Sequence, residues 1–146
     1  MQKRILILNP HKWHCDNLSH LFMGVPTVTM NYLAFLHNLE GNEWDSIYLT
    51  YDLTANETHD HWVDGNGVRR AYNGLHAVRA IATMKEMGRC NVRKIFLQEN
   101  SKMLKEMSDI LASAEISFTT YSVEEDERIL ALSHDQGPAF ARQAHI

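Results

Sequence analysis

At 146 residues the chain has the length of one domain built round one core. Its net charge of −4 with histidines neutral gives no general electrostatic basis for gripping nucleic acid or an anionic membrane. No apolar run approaches the ~20 residues that span a bilayer. Met1-Gln2-Lys3-Arg4 leads directly into apolar residues and has neither the core nor the cleavage site of a signal peptide. Cys15 and Cys90 are far apart with no metal-motif partner at short spacing, which suits free thiols in a reducing cytoplasm, the expected location.

In chain order, Arg4-Ile5-Leu6-Ile7-Leu8 is an unalternating apolar run ended by Asn9-Pro10, the pattern of a parallel strand covered on both faces. His11 to Cys15 reads as a loop, followed by a short helix capped by Asp16 or Asn17 and closed at Gly24. Val25 to Met30 suits an edge strand. Asn31 then caps a helix on which Leu33, Leu36 and Leu39 share a face until Gly41. The strand toward Asp52, centred on Ser46-Ile47-Tyr48-Leu49, is the middle of the chain's organisation.

Leu53 to Asn73 shows little periodicity and reads as a long polar loop, a length that usually serves function. Asn73-Gly74 starts the clearest helix, which runs to Gly88, and Val92 to Leu97 is the next strand. Ser101 is the expected cap of a helix with Met103, Met107, Ile110 and Ala114 in one stripe. Ile116 to Val123 reads as the last strand. Glu124 to Glu127 opens a final helix that Gly137-Pro138 stops. Ser133-His134-Asp135, adjacent and late in that helix, cannot converge as a catalytic triad.

Five strands alternating with five helices imply right-handed crossovers and an α/β fold. The expectation is a single three-layer domain over 1–146, with core 4–137 and tail 138–146. Its sheet is five-stranded and parallel, in the flavodoxin-like order 2-1-3-4-5. That order places the first, third and fourth strands side by side, so their carboxyl ends form one rim, where open α/β sheets bind ligands.

The residues expected on that rim carry the chemistry. Asp52, His59 and His61 are the candidate catalytic groups, with a carboxylate and imidazoles suited to acid and base work on a phosphodiester. Asn9, His11, Lys12, Glu99 and Asn100 are candidate ligand contacts. His11, His14, Asp52 and Asp64 are candidate ligands for a divalent metal such as Zn²⁺, Mn²⁺ or Fe²⁺, although their spacing matches no established signature. On extended backbone His59 and His61 point the same way, and His11 and His14 can meet in a turn. The alternative is a set of solvated loop residues that share one edge. Trp13 and Trp62 sit in the same two loops and read as pocket roof or local packing. Arg69, Arg70 and Arg79 read as solvated helical arginines or as anion-steering charges.

Five β/α units of this length resemble a response-regulator receiver domain. The residues that carry the resemblance are Ile5 to Pro10, Tyr48-Leu49-Thr50-Tyr51-Asp52-Leu53 and Lys94-Ile95-Phe96-Leu97. The receiver-like branch that processes cyclic phosphates is a closer match. Its strand ends Asp-His-Asp-Leu, then come a variable loop and a Gly-led helix; here Thr50-Tyr51-Asp52-Leu53 precedes a polar loop and Asn73-Gly74-Leu75-His76. Receivers hold Mg²⁺ on an acidic pair after the first strand, where this chain has Asn9 and Pro10. The Lys-Pro that receivers carry after the fifth strand is replaced by Ser122-Val123. The resemblance therefore implies a regulatory or binding domain without ordinary aspartyl phosphorylation, acting on a protein partner or a small phosphorylated ligand. A hydrolase of cyclic phosphates or phosphoesters is the alternative, and a homodimer through the last strand and helix a third expectation.

Overall fold

The apolar run at the start of the chain forms β1 (Ile5–Leu8), buried along its length; the computed structural model describes residues 4–19, 25–55, 59–99 and 101–121. The chain continues through α1 (Lys12–Ser19), β2 (Thr27–Thr29), α2 (Tyr32–Leu39), β3 (Glu43–Leu49), β4 (His61–Val63) and β5 (Arg69–Ala71). It then forms α3 (Gly74–Glu86), β6 (Asn91–Gln98), α4 (Leu104–Ser113) and β7 (Phe118–Tyr121). Five strands make one sheet in the order β2-β1-β3-β6-β7, with every neighbouring pair parallel. With the β4–β5 hairpin set aside, this is the flavodoxin-like order expected from the sequence. The carboxyl ends of the three inner strands are level, since Leu8 lies opposite Leu49 and Leu49 opposite Leu97.

The pleat divides the core. Leu6, Leu8, Ile47, Leu49, Ile95 and Leu97 face α2, α3 and α4, which bring Phe35, Leu39, Val78, Ile81, Met107 and Leu111. Ile5, Ile7, Tyr48 and Phe96 face the other way, where α1 supplies Cys15 and Leu18. The Tyr48 and Phe96 rings stack there at 4.5 Å. Strands covered on both faces have no polar side to display, which is why their sequences do not alternate.

Four local expectations are corrected. His11 to Cys15 is not a loop: the helix begins at Lys12, ahead of Asp16 and Asn17, because the Asn9 carboxamide accepts the His11 amide and the Cys15 amide already reaches the His11 carbonyl. The buried side of α2 is Phe35 and Leu39, whereas Leu33 is half exposed, its amide turned toward Asp60. The stretch after Leu53 contains the antiparallel hairpin β4–β5, so Arg69 and Arg70 lie on a strand. Ser101 does not cap α4 through its side chain; its hydroxyl is buried without a partner among the described residues, and Met103 is the cap residue.

Asn31 and Asn73 cap α2 and α3 as their sequence positions imply. Cys15 and Cys90 are buried thiols with no disulfide between them. Among the described residues no helix is long and apolar enough to cross a membrane. The expected helix end at Gly24, the final helix from Glu124, Ser133-His134-Asp135 and the tail 138–146 lie outside the described residues, as do Asn100 and the side chain of Trp13.

Candidate functional site

The rim begins at Asn9, only 1% exposed, whose amide donates to the Thr29 carbonyl at 3.0 Å. Its side-chain oxygen accepts the His11 amide at 2.9 Å, turning the chain sharply into α1. The Cys15 thiol donates back to the Asn9 carbonyl at 3.3 Å, so the first turn of the helix is tied to the strand it leaves. Burial, with a smaller push from Asp16, raises that thiol to about 11, which makes it a packing group and not a nucleophile. Three residues apart across this turn, His11 and His14 have ring centroids 4.8 Å apart. Lys12 is exposed beside them.

From β3 the chain leaves through buried Thr50 and half-buried Tyr51 to an exposed Asp52. The start of α3 holds this exit in place. The Gly74 amide donates to the Tyr51 carbonyl at 2.7 Å, and Asn73 Nδ2 to the Tyr51 hydroxyl at 3.3 Å. Asp52 Oδ1 accepts both the Thr54 amide at 2.9 Å and the Thr54 hydroxyl at 2.6 Å. These bonds hold the Asp52 carboxyl below its ordinary range, and the charges of His11 and His59 lower it further. Two imidazoles from segments remote in sequence thus bear on one carboxylate.

The hairpin brings the second pair. His59 and His61 have ring centroids 4.5 Å apart, as alternate positions on extended chain require. An Arg69 guanidinium nitrogen lies 3.2 Å from His61 Nδ1. Slight desolvation by the hairpin, then the neighbouring Arg69 and His59, hold the exposed His61 imidazole below its ordinary value. Asp60 accepts the Leu33 amide at 2.7 Å, fastening the hairpin to the start of α2, and its negative charge also bears on His61. Behind it Tyr72 stacks on Tyr32 at 4.3 Å, and Trp62 stands 5.5 Å from His76.

His11 and His59 each bear electrostatically on Asp52, and each has a second imidazole beside it, His14 and His61 respectively. Asp64 has a different task. Its Oδ1 accepts the amides of Asn66 and Val68 at 2.8 and 3.0 Å, and its Oδ2 meets Arg70 Nε at 2.6 Å, closing the hairpin turn. Among the described residues no three His, Cys, Asp or Glu side chains group as metal ligands. Glu99 is exposed at the end of β6, its amide paired with the Tyr121 carbonyl. A groove of about 650 Å³ between α3 and α4, lined in part by Lys85, Asp109 and Ser113, lies at the helices' carboxyl ends, opposite the rim.

Thr54 belongs to the site without being singled out by sequence, whereas Arg69, read there as a solvated helical arginine or an anion-steering charge, lies on a strand beside His61. Asp52-x-Thr54 is a recognisable turn pattern. The placement of Arg69 beside His61 becomes visible only once Asn66-Gly67 is read as a hairpin turn, with Gly67 at φ +78°.

No protein-family model and no curated protein matches this sequence. Among solved structures, a response regulator from Colwellia psychrerythraea is similar, with a TM-score of 0.56 and 17% identity over 93% of this chain and 97% of that one. The likeness establishes the fold: a receiver-like, flavodoxin-type α/β domain.

Proposed function

We propose that the chain is a receiver-like regulatory domain that does not take a phosphoryl group on aspartate and instead binds a small phosphorylated ligand, or a protein partner, at the carboxyl rim. The observation that carries this reading is the His-flanked Asp52, bound to Thr54 and set beside an Asn-Pro pair. A receiver's Mg²⁺ needs hard oxygen ligands after the first strand. The residues there do not fit it: the Asn9 oxygen is engaged by the His11 amide, and Pro10 has no donor atom in its side chain. The imidazoles of His11, His14, His59 and His61, with Lys12, offer donors suited to an oxyanion. Thermal unfolding with beryllofluoride is expected to coincide with and without Mg²⁺, while cyclic or linear nucleotides raise Tm. A Mg²⁺-dependent rise with beryllofluoride overturns the reading. A separate, third reading makes the last strand and the helix expected after it a homodimer face; sedimentation showing a monomer at every concentration removes it.

The second reading, hydrolysis of a cyclic phosphate or phosphoester, is favoured by the joint action of His11 and His59 on Asp52. One imidazole would take a proton from water and the other give one to the leaving oxygen. Phosphodiester turnover abolished in Asp52→Ala and His59→Ala supports it; turnover unchanged in both rejects it.

A further inference from the structure

The hairpin has two faces with different tasks. Side chains alternate across a strand. The register, His61 opposite Ala71, Trp62 opposite Arg70 and Val63 opposite Arg69, puts Trp62 and Arg70 on one face and His61, Val63 and Arg69 on the other. The first face is fastened down: Trp62 packs near His76, and Arg70 is held by Asp64 at 2.6 Å. The second face carries Arg69 beside His61, 3.2 Å away, and His59 follows at 4.5 Å between ring centroids. Arg69 forms no ion pair among the described residues.

A permanent cation placed against the His61 imidazole, with His59 next in the row, is a repulsive arrangement whenever His61 is protonated. The guanidinium fork matches the oxygens of a phosphate, and imidazole N–H groups add further donors. Asp52, ionised at the other end of the row, repels such an anion but accepts a hydrogen bond from a hydroxyl. The row is therefore polar, with an anion-seeking end at Arg69 and a hydroxyl-seeking end at Asp52.

We infer that the exposed hairpin face is an anion-binding arm, on which Arg69, His61 and His59 hold the phosphoryl oxygens of a phosphate monoester while its hydroxyl-bearing remainder lies toward Asp52. This rests on the reading of the rim as a site for a small phosphorylated ligand, and it assigns the phosphate to the hairpin and not to the start of α1.

The test is an NMR titration of the imidazole and backbone resonances of the full chain with inorganic phosphate and, separately, glycerol 3-phosphate. The expected result is saturable shifts at His59 and His61 with both probes, further shifts at Asp52 with the ester alone, and affinity lowered about tenfold or more in Arg69→Gln. Arg69→Lys, which keeps the charge and loses the fork, should fall between them. Arg69 is exposed, and an unchanged Tm of the variant shows that the fold is retained. Shifts confined to His11 and Lys12, with wild-type affinity in Arg69→Gln, overturn the arm and leave the rim reading standing. Shifts confined to the hairpin with both probes, lost in Arg69→Gln, keep the phosphate on the hairpin but overturn the placement of the remainder toward Asp52, and with it the rim reading. No saturable shift anywhere removes both.

Discussion

Gly74 is where the rim is locked together. A Cβ there would lie 2.3 Å from the Thr50 carbonyl oxygen and 2.8 Å from the Tyr51 Cα, both backbone atoms that cannot step aside. Gly74→Ala is expected to lower stability by about 2 kcal/mol in urea unfolding, as overpacking does. Helix propensity alone would favour alanine by about 1 kcal/mol, so an unchanged or raised stability contradicts the close approach. At this residue the sequence was legible in part. Asn73-Gly74 announces a helix start, and the capping box through Asn73 and His76 is there. The reason the glycine must lack a side chain lies in the exit of β3, which local reading does not bring near it. Thr54 was hidden for a similar reason, since a hydroxyl two residues past an aspartate has many uses.

At the scale of elements, the hairpin is the piece whose attachment decides the site. Asp60→Ala removes the acceptor of the Leu33 amide at the start of α2 and is expected to cost about 1 kcal/mol. Faster hydrogen exchange at the Leu33 amide checks it; unchanged protection shows that the fastening is elsewhere. His76 adds a pH dependence. Burial, then Arg79, holds its imidazole below the ordinary value, and its Nδ1 accepts the Asn73 amide at 3.2 Å. The folded chain thus prefers neutral His76, so this contribution is fully present above the ordinary histidine range and is lost as pH falls through it. Urea midpoints between about pH 8 and pH 5 should decline less in His76→Gln than in the native chain; equal declines assign the effect to another group. The hairpin was not legible because His61-Trp62-Val63 and Arg69-Arg70-Ala71 lack the hydrophobic alternation of a half-buried sheet, one face being held by aromatic stacking and an ion pair. The strands β1, β3 and β6 were legible because burial on both faces leaves continuous apolar runs.

For the whole molecule, the parallel order β2-β1-β3-β6-β7 converts three separate strand ends into one surface. Alternating apolar runs and helical stripes were sufficient to anticipate that order. Which side chains meet above it depends on turns: the Asn9 turn that starts α1 early, the Asp52–Thr54 turn, and the hairpin whose His61 lies beside His59. Chain topology places the rim, and side-chain hydrogen bonds within a few residues aim it. The most direct measurement is a ¹³C titration of the Asp52 carboxyl in the native chain and in Thr54→Ala, His11→Gln and His59→Gln. The expected result is a carboxyl that titrates below the usual range, released most by loss of Thr54 and less, but measurably, by loss of either histidine. An Asp52 that titrates at its ordinary value, or that is indifferent to both histidines, contradicts the convergence on which the site depends.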